Sequence, residues 1–229
     1  MNIMKKYKQK FNIFKVLLDK PDPVILEIGA HFGEDSMRFA VSFPKADIHC
    51  FEPDPRCISV FKKYVNDEKI KLYEIALSNI AGELEFYQSY NDGETKTPSK
   101  YDWISDEDYE KLKLGNSGSS SLKRGYDKTL PNVIKVKAQR YDEWATENNI
   151  DIVDLAWIDV QGAEKDVLDG MGDKINDISF IWIEFGETGY ADALSRQQTI
   201  DYMAIKGFKA IEHFSSKGPS GDLLFKRIK

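Results

Sequence analysis

Long apolar runs are missing. No stretch of the 229 residues approaches the ~18–20 consecutive apolar residues that a membrane-crossing helix needs, so no membrane span is expected. Cysteine is nearly missing too: Cys50 and Cys57 are the only two, and their spacing suits neither a redox pair nor a zinc site. Both read as small core hydrophobes in a reducing cytosol, so a cytoplasmic location is expected. Positive charge is in deficit. The 32 Lys and Arg against 38 Asp and Glu leave a net charge of -6, which argues against a polyanionic partner such as nucleic acid. The basic N-terminus MNIMKKYKQKFNIFKVLLDK has too short an apolar block for a secretory signal, and no small-residue cleavage site follows. No internal repeat is visible. With 41% hydrophobic and 31% charged residues, the chain has an ordinary globular composition and enough length for a substantial core.

Ile3/Met4, Tyr7, Phe11, Phe14 and Leu17/Leu18 recur at three- and four-residue spacing, which predicts an amphipathic helix within residues 1–20. A helix laid over the domain edge is preferred to a membrane-surface helix. After PDP, two stretches repeat one plan of apolar strand, turn and helix: VILEIGAHFGEDSMRFAVSF and ADIHCFEPDPRCISVFKKYV. In the second, Asp54 is the expected helix cap and Pro55 the first helical residue. KIKLYEIALS predicts a third strand, and GELEFYQSY the start of an antiparallel excursion. Residues 91–132 turn polar and rich in Gly and Ser, with DEDYEKLKL as one short helix, and are expected to be a substrate-side insertion. VIKVKAQRYDEWA, DLAWIDV, ISFIWIEF, SRQQTIDYMAIKG, FKAIEHF and DLLFKRI then alternate strand and helix before two closing strands. The expectation is one α/β domain over 1–229: a Rossmann-like, mostly parallel seven-stranded sheet with an antiparallel edge strand and helices on both faces.

EIGAHFG places Glu27, Gly29 and Gly33 around the turn after the first strand, and Glu52 ends the second strand nineteen residues after Gly33. A glycine turn lets the backbone approach a ligand, and an acid at this spacing can accept hydrogen bonds from two ribose hydroxyls. A plain strand-to-helix turn beside a solvated glutamate is the bland alternative. The turn lacks the G-x-G-x-x-G pattern that seats a pyrophosphate, and Glu27, Glu34 and Asp35 surround it with negative charge. Such a site repels phosphate. It suits a ligand carrying an ammonium and a sulfonium, S-adenosylmethionine, with Glu27 facing the ammonium.

EIGAHFGEDS, FEPDP, IALSNIAGELEFY, GSSSL, VKAQRYDEWA and WIDVQGAEKDVLDG, spanning most of residues 24–172, together resemble the FkbM-type methyltransferases of the class I S-adenosylmethionine-dependent fold. Trp157 and Gln161 depart from the commoner Lys-Ile-Asp-Val-Glu-Gly-Ala-Glu form of the last motif. The resemblance implies that Gly29, Ala30, His31 and Gly33 line the methionine end of the cofactor, with Ser36 beyond them. It places Glu52 and Pro53 at the ribose, and Ala76, Leu77 and Ser78 near the adenine. Asp159, Val160 and Gln161 would wall the transferred methyl, and Ser119, Ser120 and Ser121 would close over the cofactor. It further implies a hydroxyl acceptor on a sugar, glycan or small natural product.

An alcohol acceptor must lose its proton, and Asp159, Glu184 and His213 are the candidates near strand ends. His213 has the most suitable intrinsic pKa, although an ordinary surface histidine is the plainer interpretation. Burial would raise Glu184. Alternatively, Asp159, Glu184 and Glu164 offer oxygen ligands to Mg2+, which would lower the acceptor's pKa without a base. Tyr101, Trp103 and Tyr109 either stack on the acceptor or anchor the insertion. Two competing functions stay open, a nucleic-acid methyltransferase and a non-catalytic nucleoside-binding protein. The first is disfavoured by the charge balance and by Val-Gln-Gly after Asp159, where base-modifying enzymes tend to carry Asn/Asp-Pro-Pro-Tyr/Phe. Oligomeric state is not legible.

Overall fold

The computed structural model describes residues 11, 13–89, 103–112, 114–125, 132–186, 189–211 and 216–228. In chain order its strands are β1 (Val24–Ile28), β2 (Asp47–Phe51), β3 (Ile70–Tyr73), β4 (Ala76–Leu77), β5 (Gly82–Gln88), β6 (Asn132–Gln139), β7 (Val153–Ile158), β8 (Ile178–Gly186), β9 (Phe208–Ala210) and β10 (Ser220–Arg227). The α-helices are α1 (Glu34–Ser42), α2 (Pro55–Tyr64), α3 (Asp106–Lys111), α4 (Tyr141–Glu147), α5 (Glu164–Gly170) and α6 (Arg196–Ile205).

Seven strands form one sheet in the order β3-β2-β1-β7-β8-β10-β9. Only β10 runs antiparallel to its neighbours, slotted between β8 and β9 at one end. The central strands β1, β7 and β8 read VILEI, VDLAWI and ISFIWIEFG, the near-continuous apolar runs expected of strands covered on both faces. On one face Trp144 of α4, Val167 and Leu168 of α5 and Met203 of α6 pack over Leu26, Ala156 and Ile181. On the other, Phe39 of α1 and Phe61 of α2 cover Ile25, Ile48, Leu155 and Trp157.

The N-terminal stripe behaves as a packing face. Residues 13–18 are helical, and Phe11 and Phe14 are buried against Phe39, Trp157 and Trp182. Ile3, Met4 and Tyr7 lie outside the described residues. As expected, Asp54 caps α2 by accepting from Arg56 N, with Pro55 next.

The third strand departs from expectation. KIKLYEIALS divides at Glu74–Ile75 into β3, which pairs with β2, and β4, which pairs in parallel with β6. The cause is the β5–β6 ladder, which opens a second, three-stranded sheet and draws Ala76 and Leu77 out of the main one. The short helix expected from DEDYEKLKL is α3. Chain connectivity runs outward from β1 to β2 and β3 on one side and resumes at β7 and β8 on the other. The crevice outside the carboxyl ends of β1 and β7 is therefore a topological switch point, where open α/β sheets bind ligands.

Candidate active site

Two main-chain crossings build the floor of that crevice. Gly29 N and Ala30 N both donate to Phe51 O at 3.0 Å, and Asp159 N donates to Ile28 O at 3.0 Å. Gly29 has φ +90°, and a Cβ there would fall 1.9 Å from Asp159 O. Only glycine lets β1 and β7 end this close together. His31 follows in the left-handed region at φ 51°.

Its backbone N–H donates to Glu52 Oε2 at 2.8 Å, and Asp54 N donates to Glu52 Oε1 at 2.8 Å. Burial pushes the Glu52 carboxyl up to about 7, against the lowering effect of these amides. The His31 ring lies 3.1 Å by Nδ1 from Glu34 Oε1 and 2.9 Å by Nε2 from Ser117 Oγ. Burial lowers its pKa, but the charge and hydrogen bond of Glu34, with Glu52 and Asp159 nearby, outweigh that and leave it raised. Deeper in, Glu27 accepts from Ser36 Oγ and is 2% exposed. Burial, then the charge of Asp35, raise its carboxyl well above the usual range.

On the β7/β8 side the acids meet. The Gln161 side-chain amide donates to Asp159 Oδ1 and to Glu184 Oε2, each at 2.7 Å, and the two carboxyls are also hydrogen-bonded to each other. Burial, followed by the adjacent Asp159 charge, drives the Glu184 carboxyl far above its ordinary range. Tyr190 Oη lies 2.7 Å from Ser119 O and 3.2 Å from Gln161 Oε1. Gly162 is required here, since a Cβ would meet Tyr190 Cβ at 2.4 Å. Glu164 is committed elsewhere: its Oε1 accepts from Gly162 N at 3.0 Å and Val160 N at 3.3 Å, fixing the turn.

Residues 114–125 cross above these elements. Ser120 Oγ accepts from Ser89 N and from Arg56, whose guanidinium also forks onto Asp54. Ser121 Oγ donates to Gln161 O at 2.7 Å, and Ser121 pairs with Tyr87. Beneath this strap lies a cleft open to solvent. An outer half is walled by apolar Ile28, Phe51, Ile75, Leu77, Phe86 and Leu122, with Glu52 and Pro53 on one side. A polar inner half is lined by Glu27, Ala30, Glu34 and Asp35, and Gly29, His31, Gly118 and Asp159 border both halves.

Of the residues singled out from sequence, Glu27, Gly29, Ala30, His31, Glu52, Pro53, Ala76, Leu77, Ser120, Asp159, Val160 and Gln161 do line the cleft. Five sit behind its wall. Gly33 is pressed against Phe61 and Val65, and Ser36 is buried under Glu27. Ser78 is buried with its carbonyl against Gly170, Ser121 ties the strap to Gln161, and Glu184, held by the Gln161 amide, is not among the residues lining the cleft. His213 and Tyr101 lie outside the described residues. Trp103 and Tyr109 join a satellite cluster with Phe32 and Val60, so they anchor the insertion. Among the described residues no group of three or more His, Cys, Asp or Glu is arranged to hold a metal. Glu164 is spent on backbone amides, and the Gln161 amide puts a hydrogen-bond donor where a cation between Asp159 and Glu184 would sit. Tyr190 was missed from sequence. Its only sequence signal was Gly162, whose lack of a side chain makes room for it.

The Methyltransferase FkbM domain matches residues 27–210. The 2-O-methyltransferase NoeI of Sinorhizobium fredii is 32% identical over 215 residues, covering 93% of this chain and 83% of that protein. Methyltransferase sdnD of Sordaria araneosa is 26% identical over 162 residues, 67% of this chain and 62% of sdnD. Among solved structures, the METTL16 MTase domain superposes with TM-score 0.52 at 10% identity, covering 99% of this chain and 69% of that one, a likeness of fold alone. With the domain match spanning the whole cleft from Glu27 through Tyr190, the chain belongs to the FkbM methyltransferase family and is an S-adenosylmethionine-dependent methyltransferase.

Proposed function

We propose that the chain transfers the methyl group of S-adenosylmethionine to a hydroxyl oxygen of a sugar, glycan or other hydroxylated small molecule, with Asp159 as the base. The observation that carries this is the position of Asp159, which borders both halves of the cleft while hydrogen-bonded to Glu184. Of two adjacent carboxyls only one ionises readily. Burial and the Asp159 charge both favour the protonated form of Glu184, so the shared proton is assigned to Glu184 and Asp159 is the carboxylate that faces the cleft. The similarity to NoeI, named a 2-O-methyltransferase, supports oxygen as the acceptor atom.

The donor fits the cleft residue by residue. The apolar outer half accepts an adenine, and Glu52 keeps lone pairs free for a diol beyond those its two amides use. Glu27, Glu34 and Asp35 suit an ammonium, whose charge would offset the cost of ionising buried Glu27. The His31 ring, its pKa raised by Glu34, Glu52 and Asp159, lies beside the position proposed for the donor's carboxylate. The bound donor contributes a methyl already activated on a sulfonium. Alignment of oxygen, methyl and sulfur is then the main task, worth up to ~7–11 kcal/mol. Asp159 takes the acceptor's hydroxyl proton, a contribution of about 10²–10⁴ in rate. The Mg2+ route expected as an alternative lacks a fitting donor set.

The acids that line the cleft, Glu27, Glu34, Asp35 and Asp159, disfavour nucleic acid and phosphorylated acceptors. No described helix is long and apolar enough to cross a membrane. The two free, buried thiols support a reducing, cytoplasmic setting. The deciding experiment offers labelled S-adenosylmethionine with a panel of hydroxylated sugars and metabolites to wild type and Asp159→Asn. Label on oxygen, lost in the variant, is expected. Transfer to nitrogen or carbon, or none to any hydroxyl, overturns the proposal. Calorimetry with S-adenosylmethionine and NAD checks the donor separately, and absence of heat with the former would defeat it.

A further inference from the structure

We infer that Gln161 is a positioning residue for methyl transfer: its side-chain amide clamps Asp159 and Glu184 together and aims the Asp159 carboxylate into the cleft. The inference rests on the proposed role of Asp159 as base. Three observations carry it. First, the amide nitrogen has two hydrogens and two acceptors, Asp159 Oδ1 and Glu184 Oε2, both at 2.7 Å. The reverse orientation would set the amide oxygen against two carboxyl oxygens, so the amide has one stable direction. Second, the amide oxygen faces Tyr190 Oη at 3.2 Å, whose single proton is shared between it and Ser119 O at 2.7 Å. Third, Gln161 holds an uncommon backbone, φ 54°, followed by Gly162 at φ 93°. Left-handed conformation disfavours a residue with a Cβ, and the turn is kept by Glu164 on the Gly162 amide and Ser121 on the Gln161 carbonyl.

The charged and titratable groups facing this cluster are Asp159 after β7, Glu164 on α5, Glu184 on β8, Asp222 on β10, Tyr190, and His31 after β1. Among the described residues at the cluster, the Gln161 amide is the neutral group that donates to both acids at once. Acting on Asp159 rather than on the donor, it should govern turnover and not cofactor affinity.

The test uses the full chain labelled with 15N. Solution NMR follows the two Gln161 side-chain amide protons, assigned by their loss in Gln161→Met. One proton is expected to shift to a free-amide position in Asp159→Ala and the other in Glu184→Ala. If both protons stay unmoved in both variants, the clamp does not exist. Gln161→Met is then compared with wild type for kcat, using the acceptor found by the labelled-donor screen, and for affinity toward S-adenosylhomocysteine by calorimetry. A fall in kcat of about 10- to 100-fold, as for a lost hydrogen bond to a charged group, with cofactor affinity within about twofold, is expected. Equal losses in both would mark a merely structural residue and overturn the inference. The amide shifts need no acceptor. A failed screen would therefore count against hydroxyl methylation while the clamp is still decided.

Discussion

Main-chain amides make most of the fixing contacts at Gly29 and Glu52, whereas side chains join Asp159 to Glu184 on the other side of the cleft. Around Gly29 and Glu52 the contacts are amide to carbonyl and amide to carboxylate: Gly29 and Ala30 on Phe51, His31 and Asp54 on Glu52. Around Asp159 and Glu184 they run between side chains, from Tyr190 through Gln161 to the two acids. Main-chain contacts survive most substitutions of neighbouring residues but fail when a Cβ intrudes. Side-chain contacts are lost one residue at a time, with the backbone intact. The first half should therefore respond to mutation through stability and donor binding, and the second through rate.

The largest expected effect sharpens that contrast. Asp159→Asn should lower kcat by about 10²–10⁴-fold while changing affinity for S-adenosylhomocysteine by no more than a few-fold. Turnover and calorimetry on the same preparation check it. A comparable loss in affinity would erase the distinction between the halves. Next is Gly29→Ala, which adds a Cβ 1.9 Å from Asp159 O at φ +90°. Overpacking plus a strained dihedral should cost about 3 kcal/mol, a fall of roughly 6–12 °C in Tm for a chain of this size. Thermal unfolding measures this directly, and an unchanged Tm would show that β1 and β7 can separate freely.

The same contrast explains what the sequence disclosed. EIGAHFG and FEPDP were legible because main-chain geometry needs glycine at fixed places and an acid at a strand end, and those are local signals. Asp54 as cap and Pro55 at the start of α2 were legible for the same reason. The division of β3 from β4 was not, because Ala76 and Leu77 are captured by β6, more than fifty residues away in sequence. Tyr190 escaped notice as well, since its meeting with Gly162 and Gln161 is made by the fold and not by spacing. Ser36 and Ser78 carried the right motif but the wrong depth. They support the wall, as buried residues beside a site commonly do.

Glu52 tests the main-chain half through pH. Its carboxyl stands at about 7 in the fold against an ordinary value of 4.5. The folded protein therefore holds a proton that the unfolded chain has released between those values. Stability is highest below the ordinary value and declines as pH rises through about 7, with Glu164 adding a decline of the same sign. A ribose diol is accepted by the ionised form, so binding should run the other way. Affinity for S-adenosylhomocysteine should tighten by up to about tenfold from roughly pH 6 to pH 8. Glu52→Gln should weaken binding and flatten both profiles. A pH-independent affinity in wild type would remove Glu52 from the ribose.

The smallest expected effect concerns the strap that spans the two halves. Ser117 Oγ donates to Leu114 O at 3.0 Å, so toward His31 Nε2, at 2.9 Å, it is left as an acceptor. Glu34 accepts at the other ring nitrogen. An acceptor at each nitrogen favours the doubly protonated ring, in keeping with its raised pKa. Ser117→Ala deletes one acceptor, so the His31 midpoint should move down, visible by NMR titration of the ring protons. Stability should fall by only about 0.5–1.5 kcal/mol, the net value of one hydrogen bond. Donor affinity should fall a few-fold, because the ring keeps Glu34 and its backbone bond to Glu52. If the midpoint does not move, Ser117 is not what holds the ring charged. If kcat falls instead of affinity, the strap belongs with Asp159 and not with the glycine turn.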